Sequence, residues 1–203
     1  IARGMREKAT GTFHVHFNGA GGNIGAGKWN DGSPPYRQIL ADRLAAGMEK
    51  AWDSMRRSPV DADDLGWGVE AVALPLGKHV VVEELEKSLA DPATEDRPGV
   101  AKKLTWARRC QAGDTIDIQC LRIGTARVLH MPGELCVEYQ LAAQDIRKDL
   151  FVAMAAYGEY APGYICPEIA YGQGGYEGSE SASHVAPQVE AVLTGAMRKL
   201  LKE

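Results

Sequence analysis

The sequence predicts an α/β protein, a mixed β-sheet flanked by helices in one unit. Three observations carry that expectation. Stretches with apolar residues at alternate positions, such as Ile116, Ile118 and Cys120, interleave with stretches repeating every three or four, such as Val189, Val192, Leu193, Ala196 and Leu200. Proline and glycine punctuate the changes from one pattern to the next. No internal repeat or linker divides the 203 residues, whose 45% hydrophobic and 25% charged content is that of a globular chain.

ARGMREKAT at the start reads as the tail of a helix, and GTFHVHF, with Phe13, Val15 and Phe17 alternating against His14 and His16, reads as a strand. A glycine-rich loop, NGAGGNIGAGKWNDGSPP, follows. Ser33, Pro34 and Pro35 then start a helix of about six turns, because Ser caps and Pro fits the first turn. Its Leu40, Leu44, Met48 and Trp52 lie four apart, as a core-facing stripe does. From Leu65, WGVEAVALPL reads as a strand with Val69, Ala71 and Ala73 in partial alternation.

Residues 83–109 read as two short helices joined by the polar DPATEDRPG loop. DTIDIQCLRIG and TARVLHM read as strands joined by a short turn at Gly124. After Pro132-Gly133, ELCVEYQLAAQDIRKD reads as a helix with Cys136, Tyr139, Ala143 and Ile146 on one stripe. LFVAMAAYG is a short buried strand, and Pro187 opens the closing helix.

The net charge of -4 and the lack of long basic runs argue against nucleic acid or an anionic membrane as partner. No apolar run approaches the roughly 18 residues of a membrane span. Cys110, Cys120, Cys136 and Cys166 show neither C-x-x-C pairing nor zinc-knuckle spacing. Buried thiols are the expected state, with one disulfide the open alternative. The chain opens at Ile1 directly into a helix tail, so the expectation is a fragment with sequence, and room for a targeting peptide, upstream.

Chemistry concentrates in Ala156–Gly178, AYGEYAPGYICPEIAYGQGGYEG, which holds Tyr157, Tyr160, Tyr164, Tyr171 and Tyr176 among glycines. A long phenol-rich loop either covers the core or carries a site. GNIGAGK, Gly22 to Lys28, has the letters of a phosphate loop, but Trp29 replaces the magnesium-binding hydroxyl and no helix follows at once. Its backbone N–H groups still suit an anion or a developing oxyanion. Glu134, where strand gives way to helix, fits either a helix-dipole partner or a carboxylate at a strand's carboxyl end, where ligands collect. His130 and His184 read as structural, and His14 with His16 is a weak metal signal without a third ligand.

Taken together and in order, FNGAGGNIGAGKWNDGSPP, IQCLRIGTARVLHMPGELCVEYQ and YAPGYICPEIAYGQGGYEGS resemble the neutral/alkaline (non-lysosomal) ceramidase N-terminal-domain family, particularly its bacterial branch. The resemblance covers most of the chain, with residues 75–112 carrying little of it. It implies that residues 1–203 are the C-terminal portion of a single such catalytic domain, a zinc-dependent amidase of sphingolipid metabolism that cleaves N-acyl bonds of a lipid-like substrate. It implies Glu134 and Tyr164 as zinc ligands, Tyr176 as an oxyanion donor, and Gly22 and Asn23 as catalytic residues of the Gly22–Gly27 loop, which would supply backbone donors. The family's two histidine ligands are expected upstream of Ile1, and an extracytoplasmic or secreted location is suggested by family alone. The resemblance departs at Gly25, where the family carries the serine of G-D-x-S-P; glycine supplies neither nucleophile nor proton. That sets ceramide itself in doubt and leaves two readings: a hydrolase of amide or related acyl bonds, or an inactive module that binds lipid, glycan or protein.

Overall fold

The computed structural model describes every residue except Ala26, Lys28, Trp29, Tyr160 and Glu203. Contacts divide the chain into two compact units, one of Ile1–Phe17 and Ile24–Val60, the other of Asn18–Asn23 and Asp61–Glu203.

In the first unit, α1 (Ala2–Thr10) packs on α2 (Pro34–Ser54). Small residues, Ala2, Ala41 and Ala45, form the contact with Met48 beside them, and Arg6 reaches Glu49 at 3.0 Å. Helix α2 begins at the two prolines as expected, yet its inward stripe is not the leucine one. Leu44 is exposed, because α1 offers an alanine and an arginine stem, and close approach selects methyl groups over longer chains. Ser33 occupies the N-cap without bonding through its side chain; its amide instead donates to Asp31 at 2.8 Å.

The expected strand over Phe13–Phe17 does not form. Among the described residues the segment pairs with no strand, and Phe13, Val15 and Phe17 lie exposed. The His14 amide donates to the Glu7 carboxylate at 3.0 Å, and its ring meets Trp52 edge-on at 6.4 Å.

In the second unit, a 3-10 turn over Ala62–Asp64, capped reciprocally by Asp61 and Asp64, delivers the chain into β1 (Leu65–Val72). Helices α3 (Val82–Ala90) and α4 (Arg97–Gln111) follow as a pair with a small core of Val80, Val82, Leu104 and Ala107. Asp96 caps α4 by accepting from the Gly99 amide at 3.0 Å. Strands β2 (Ile116–Ile123) and β3 (Ala126–His130) form a hairpin around Gly124, whose φ of 53° suits a tight turn.

Next come β4 (Glu134–Leu135), α5 (Val137–Ile146), β5 (Phe151–Ala155), β6 (Tyr164–Ile165), α6 (Ala170–Gln173) and α7 (Val189–Leu200). The main sheet runs β1-β2-β3-β5, antiparallel until β3 pairs parallel with β5 across the α5 crossover. It is the mixed α/β sheet that the sequence predicts. A second sheet consists of β4 and β6, parallel.

One face of the main sheet carries the core. Ile116, Ile118, Cys120, Leu129, Val152 and Met154 meet Tyr139 and Ala143 of α5 and Val189, Leu193, Ala196, Met197 and Leu200 of α7. Each aliphatic side chain so buried contributes about 1.5–3 kcal/mol against leaving it in water. The alternation in β1 is real, but Val69 and Ala71 belong to the outer face with Leu65 and Trp67. The inner face of β1 carries Gly66 and Gly68 beside Glu70 and Val72, and a Cβ on Gly68 would come 3.1 Å from Leu200 Cδ2, so α7 lies against a position without a side chain.

The helix expected from Glu134 begins only at Val137. Residues 134–135 pair instead with 164–165, and the Val137 amide is capped by the Asn23 side-chain oxygen at 2.8 Å.

Candidate functional site

The β4–β6 ladder holds the site. Glu134 pairs with Tyr164 and Leu135 with Ile165, and the Glu134 amide donates to the Gly163 carbonyl at 2.9 Å. Paired residues of a ladder point to one face, so Glu134 and Tyr164 project side by side while Leu135 and Ile165 enter the core. On the far side of β6, Tyr164 donates to Ala182 and His184 donates to Pro162, which fixes β6 between two neighbours. Gly163 makes this approach feasible. Its φ is +68°, and a Cβ there would lie 2.3 Å from the Ala182 carbonyl oxygen.

The Tyr164 phenol donates to the Glu134 carboxylate, and that bond, aided by burial and by the carboxylate charge, pushes its pKa up to about 12. Tyr176 meets Tyr164 edge-on, ring centres 5.7 Å apart. Glu134, Tyr164, Tyr176 and His184 line one cavity of about 280 Å³, which Lys102 and Lys103 of α4 also border. Three of the five predicted site residues thus share one cavity.

Gly22 and Asn23 lie against the same ladder from behind. The Gly22 amide donates to the Leu135 carbonyl at 2.8 Å, and a Cβ there would come 2.7 Å from the Glu134 carbonyl oxygen. That amide is committed to the strand, so service as an oxyanion donor would require breaking the bond. The Asn23 side chain is likewise engaged, accepting from Val137 and donating to the Glu138 carboxylate at 2.9 Å. Both residues brace the ladder in this conformation. Lys28 of the phosphate-loop letters, with Ala26 and Trp29, lies outside the described residues, as does Tyr160.

Two residues given no chemistry in the sequence border the site. Tyr157 has a φ of 66°, the one positive value among the described non-glycine residues, and its amide donates to the Gly133 carbonyl at 3.0 Å. Burial, with the Glu134 charge adding to it, raises its phenol pKa, which places Tyr157 within electrostatic reach of the carboxylate. His184 donates from Nδ1 to the Ala161 carbonyl at 2.9 Å, which leaves Nε2 as the ring's acceptor nitrogen. Burial, then Lys103, Lys102 and His79, holds its pKa below the ordinary value. Composition gives no signal for Tyr157, because a left-handed backbone at tyrosine is set by its surroundings.

No family model matches the chain, and no curated protein does. Solved structures do match. The neutral ceramidase from Pseudomonas aeruginosa aligns over 84% of this chain and 34% of its own, at 16% identity and a TM-score of 0.53. A ceramidase complexed with C2 aligns over 82% of this chain and 34% of its own, at 14% identity and a TM-score of 0.53. The chain therefore has a ceramidase-like fold. It spans about a third of the length of these structures.

Among the described residues, no group of three or more His, Cys, Asp and Glu side chains is placed to hold a metal. His14 and His16 belong to no such group. Glu134 and Tyr164 nevertheless put a carboxylate and a phenol on one face of a rigid ladder, bonded to each other. The carboxylate is an ordinary zinc donor, whereas the phenol is outside the usual Cys, His, Asp and Glu set, so this pair alone is not a zinc shell.

Proposed function

We propose that this chain supplies half of the catalytic centre of a ceramidase-like, metal-dependent hydrolase of an amide (N-acyl) or related acyl bond. The observation that carries the reading is the paired projection of Glu134 and Tyr164 into a cavity shared with Tyr176, on a ceramidase-like fold. Glu134 and Tyr164 would hold zinc, with histidines from polypeptide upstream of Ile1 completing the shell. Bound there, zinc supplies Lewis-acid polarisation of an acyl carbonyl and lowers the pKa of water to about 7.

This chain's own residues do the rest. Tyr176, edge-on to Tyr164 at the cavity, donates its phenolic proton to the oxygen on which negative charge develops. Lys102 and Lys103 add positive potential at the same rim and favour an anionic product group. The ladder and its glycines hold Glu134 and Tyr164 in fixed relation, so orientation is prepaid in folding. The substrate is a lipid-like acyl amide or related acyl compound, and an extracytoplasmic or secreted location rests on the family resemblance alone.

The test is Glu134→Ala in the full-length protein. Stoichiometric zinc and zinc-dependent turnover of a panel of N-acyl amides and esters should both be lost. Zinc retained at unchanged affinity would refute the ligand assignment. Gly25 favours a second reading, a fold that has kept its shape and binds without turnover. Zinc-dependent turnover of any member of the panel by the unaltered protein excludes it.

A further inference from the structure

Behind the Glu134 cavity, the same ladder ends in two cysteines. Cys136 follows Leu135 and Cys166 follows Ile165, so the next step of the β4–β6 register sets them opposite each other, and the Cys136 amide donates to the Ile165 carbonyl at 3.0 Å. Parallel neighbours lie about 4.8 Å apart, inside the Cα span that a disulfide takes. The Cys136 thiol points its hydrogen at the Cys166 sulfur, with the sulfurs 3.0 Å apart. Both are reduced and buried, yet both line a second cavity of about 380 Å³ with Asn23, Glu138, Glu177 and Glu190.

We infer that Cys136 and Cys166 are a disulfide-forming pair whose oxidation locks the ladder that carries Glu134 and Tyr164. The inference holds whatever chemistry the Glu134 cavity performs. The oxidant is a small-molecule disulfide admitted by the second cavity. Cys136 directs its hydrogen to the Cys166 sulfur, so Cys166 is the one of the pair placed to act as the first nucleophile. Its thiolate attacks one sulfur of the oxidant, whose S–S bond breaks and releases one small thiol, which takes up a proton. Cys136, losing its proton, then attacks the Cys166 sulfur of the mixed disulfide and expels the second small thiol. The protein loses two hydrogens and the oxidant becomes two thiols. Glu138, Glu177 and Glu190 line the same cavity and repel anions, so a neutral oxidant is favoured over an anionic one such as glutathione disulfide.

The experiment treats the folded full-length protein with bis(2-hydroxyethyl) disulfide, quenches in acid, alkylates and maps the peptides. The expected product is about 2 Da lighter, carries a Cys136–Cys166 crosslink, and keeps Cys110 and Cys120 alkylatable. It should melt about 5–10 °C higher than the reduced chain, an increase that dithiothreitol reverses, because the link closes a loop of 30 residues. Glutathione disulfide should react at least about tenfold more slowly. Cys136 and Cys166 recovered as free thiols or as stable hydroxyethyl adducts would overturn the inference, as would a crosslink formed only in urea. The mapping uses the unaltered chain, so it does not depend on a cysteine variant folding.

Discussion

Glu134 and Tyr164 are partners in a two-step parallel ladder, and the phenol of one donates to the carboxylate of the other. Backbone pairing, not side-chain attraction, sets that relation. Glu134 donates to Gly163 and Tyr164 donates to Ala182 through the main chain, so either side chain can be altered with the scaffold kept. The roles proposed for the tyrosines therefore separate cleanly. Tyr164→Phe removes the oxygen proposed to bind zinc, and zinc affinity in the full-length protein should fall by about 100-fold or more. Tyr176→Phe should leave zinc affinity unchanged and lower kcat by about 10²–10³ with little change in KM. Zinc titration against a chelator, beside steady-state kinetics, separates the two, and indistinguishable profiles would sink the division of roles.

Gly163 should be the least replaceable glycine of the ladder. Alanine there meets both a positive φ and a carbonyl oxygen at 2.3 Å from its Cβ. Gly163→Ala should cost at least about 2 kcal/mol by urea unfolding. Gly113 supplies the control, with a φ of +76° but open space around its Cβ. Gly113→Ala should cost only about 1 kcal/mol. Equal costs would show that the Ala182 contact yields easily.

His184 predicts an acid limb. Its pKa is held below the ordinary value of about 6.5 by burial, so the unfolded chain binds this proton first as pH falls. Stability from His184 is fully present above that ordinary value and is lost as pH falls through the lower folded value. His184→Gln, whose side chain cannot take up that proton, should flatten the melting-temperature profile below about pH 6.5. A profile unchanged by the substitution would place the acid sensitivity elsewhere.

Gly25 carries the question of substrate. A Cβ at Gly25 meets nothing within 4 Å, so Gly25→Ser should fold without loss of stability. Restoring the hydroxyl of the resembled family should raise turnover of an N-acyl sphingoid amide at least about tenfold over the unaltered full-length protein. No gain, with the other substrates unaffected, would mean that ceramide is not excluded by this position alone.

The sequence reveals elements whose pattern is local and hides those set by distant pairing. Strand β2 was legible from Ile116, Ile118 and Cys120, and α7 from its stripe beginning at Val189, because each buries one apolar face against a continuous layer. In β1 the apolar alternation exists, but the face turned inward is the one that carries Gly66, Gly68, Glu70 and Val72. Trp67 and Val69 advertise a core that they do not enter, and Gly68 gives no signal of the Leu200 side chain laid against it. Alternation likewise suggests a strand at Phe13–Phe17, where no partner strand exists among the described residues. Glu134 could be assigned a neighbourhood only by resemblance. Its strand is two residues long and exists because of a segment 30 residues on. Cys136 and Cys166 meet for the same reason, without any spacing signature between them.

The six residues Asn18–Asn23 are fastened at three places. The Asn18 carbonyl accepts from Ala156 at the end of β5, Gly22 donates to Leu135 in β4, and Asn23 caps α5. Such a segment is a ruler with no slack. One inserted or deleted residue between Asn18 and Asn23 would unseat either the strand contact or the helix cap. The same change in the Asp91–Asp96 turn, exposed over most of its length and outside this fastening, would be absorbed. Natural length variation of the glycine-rich loop should therefore accumulate after Asn23.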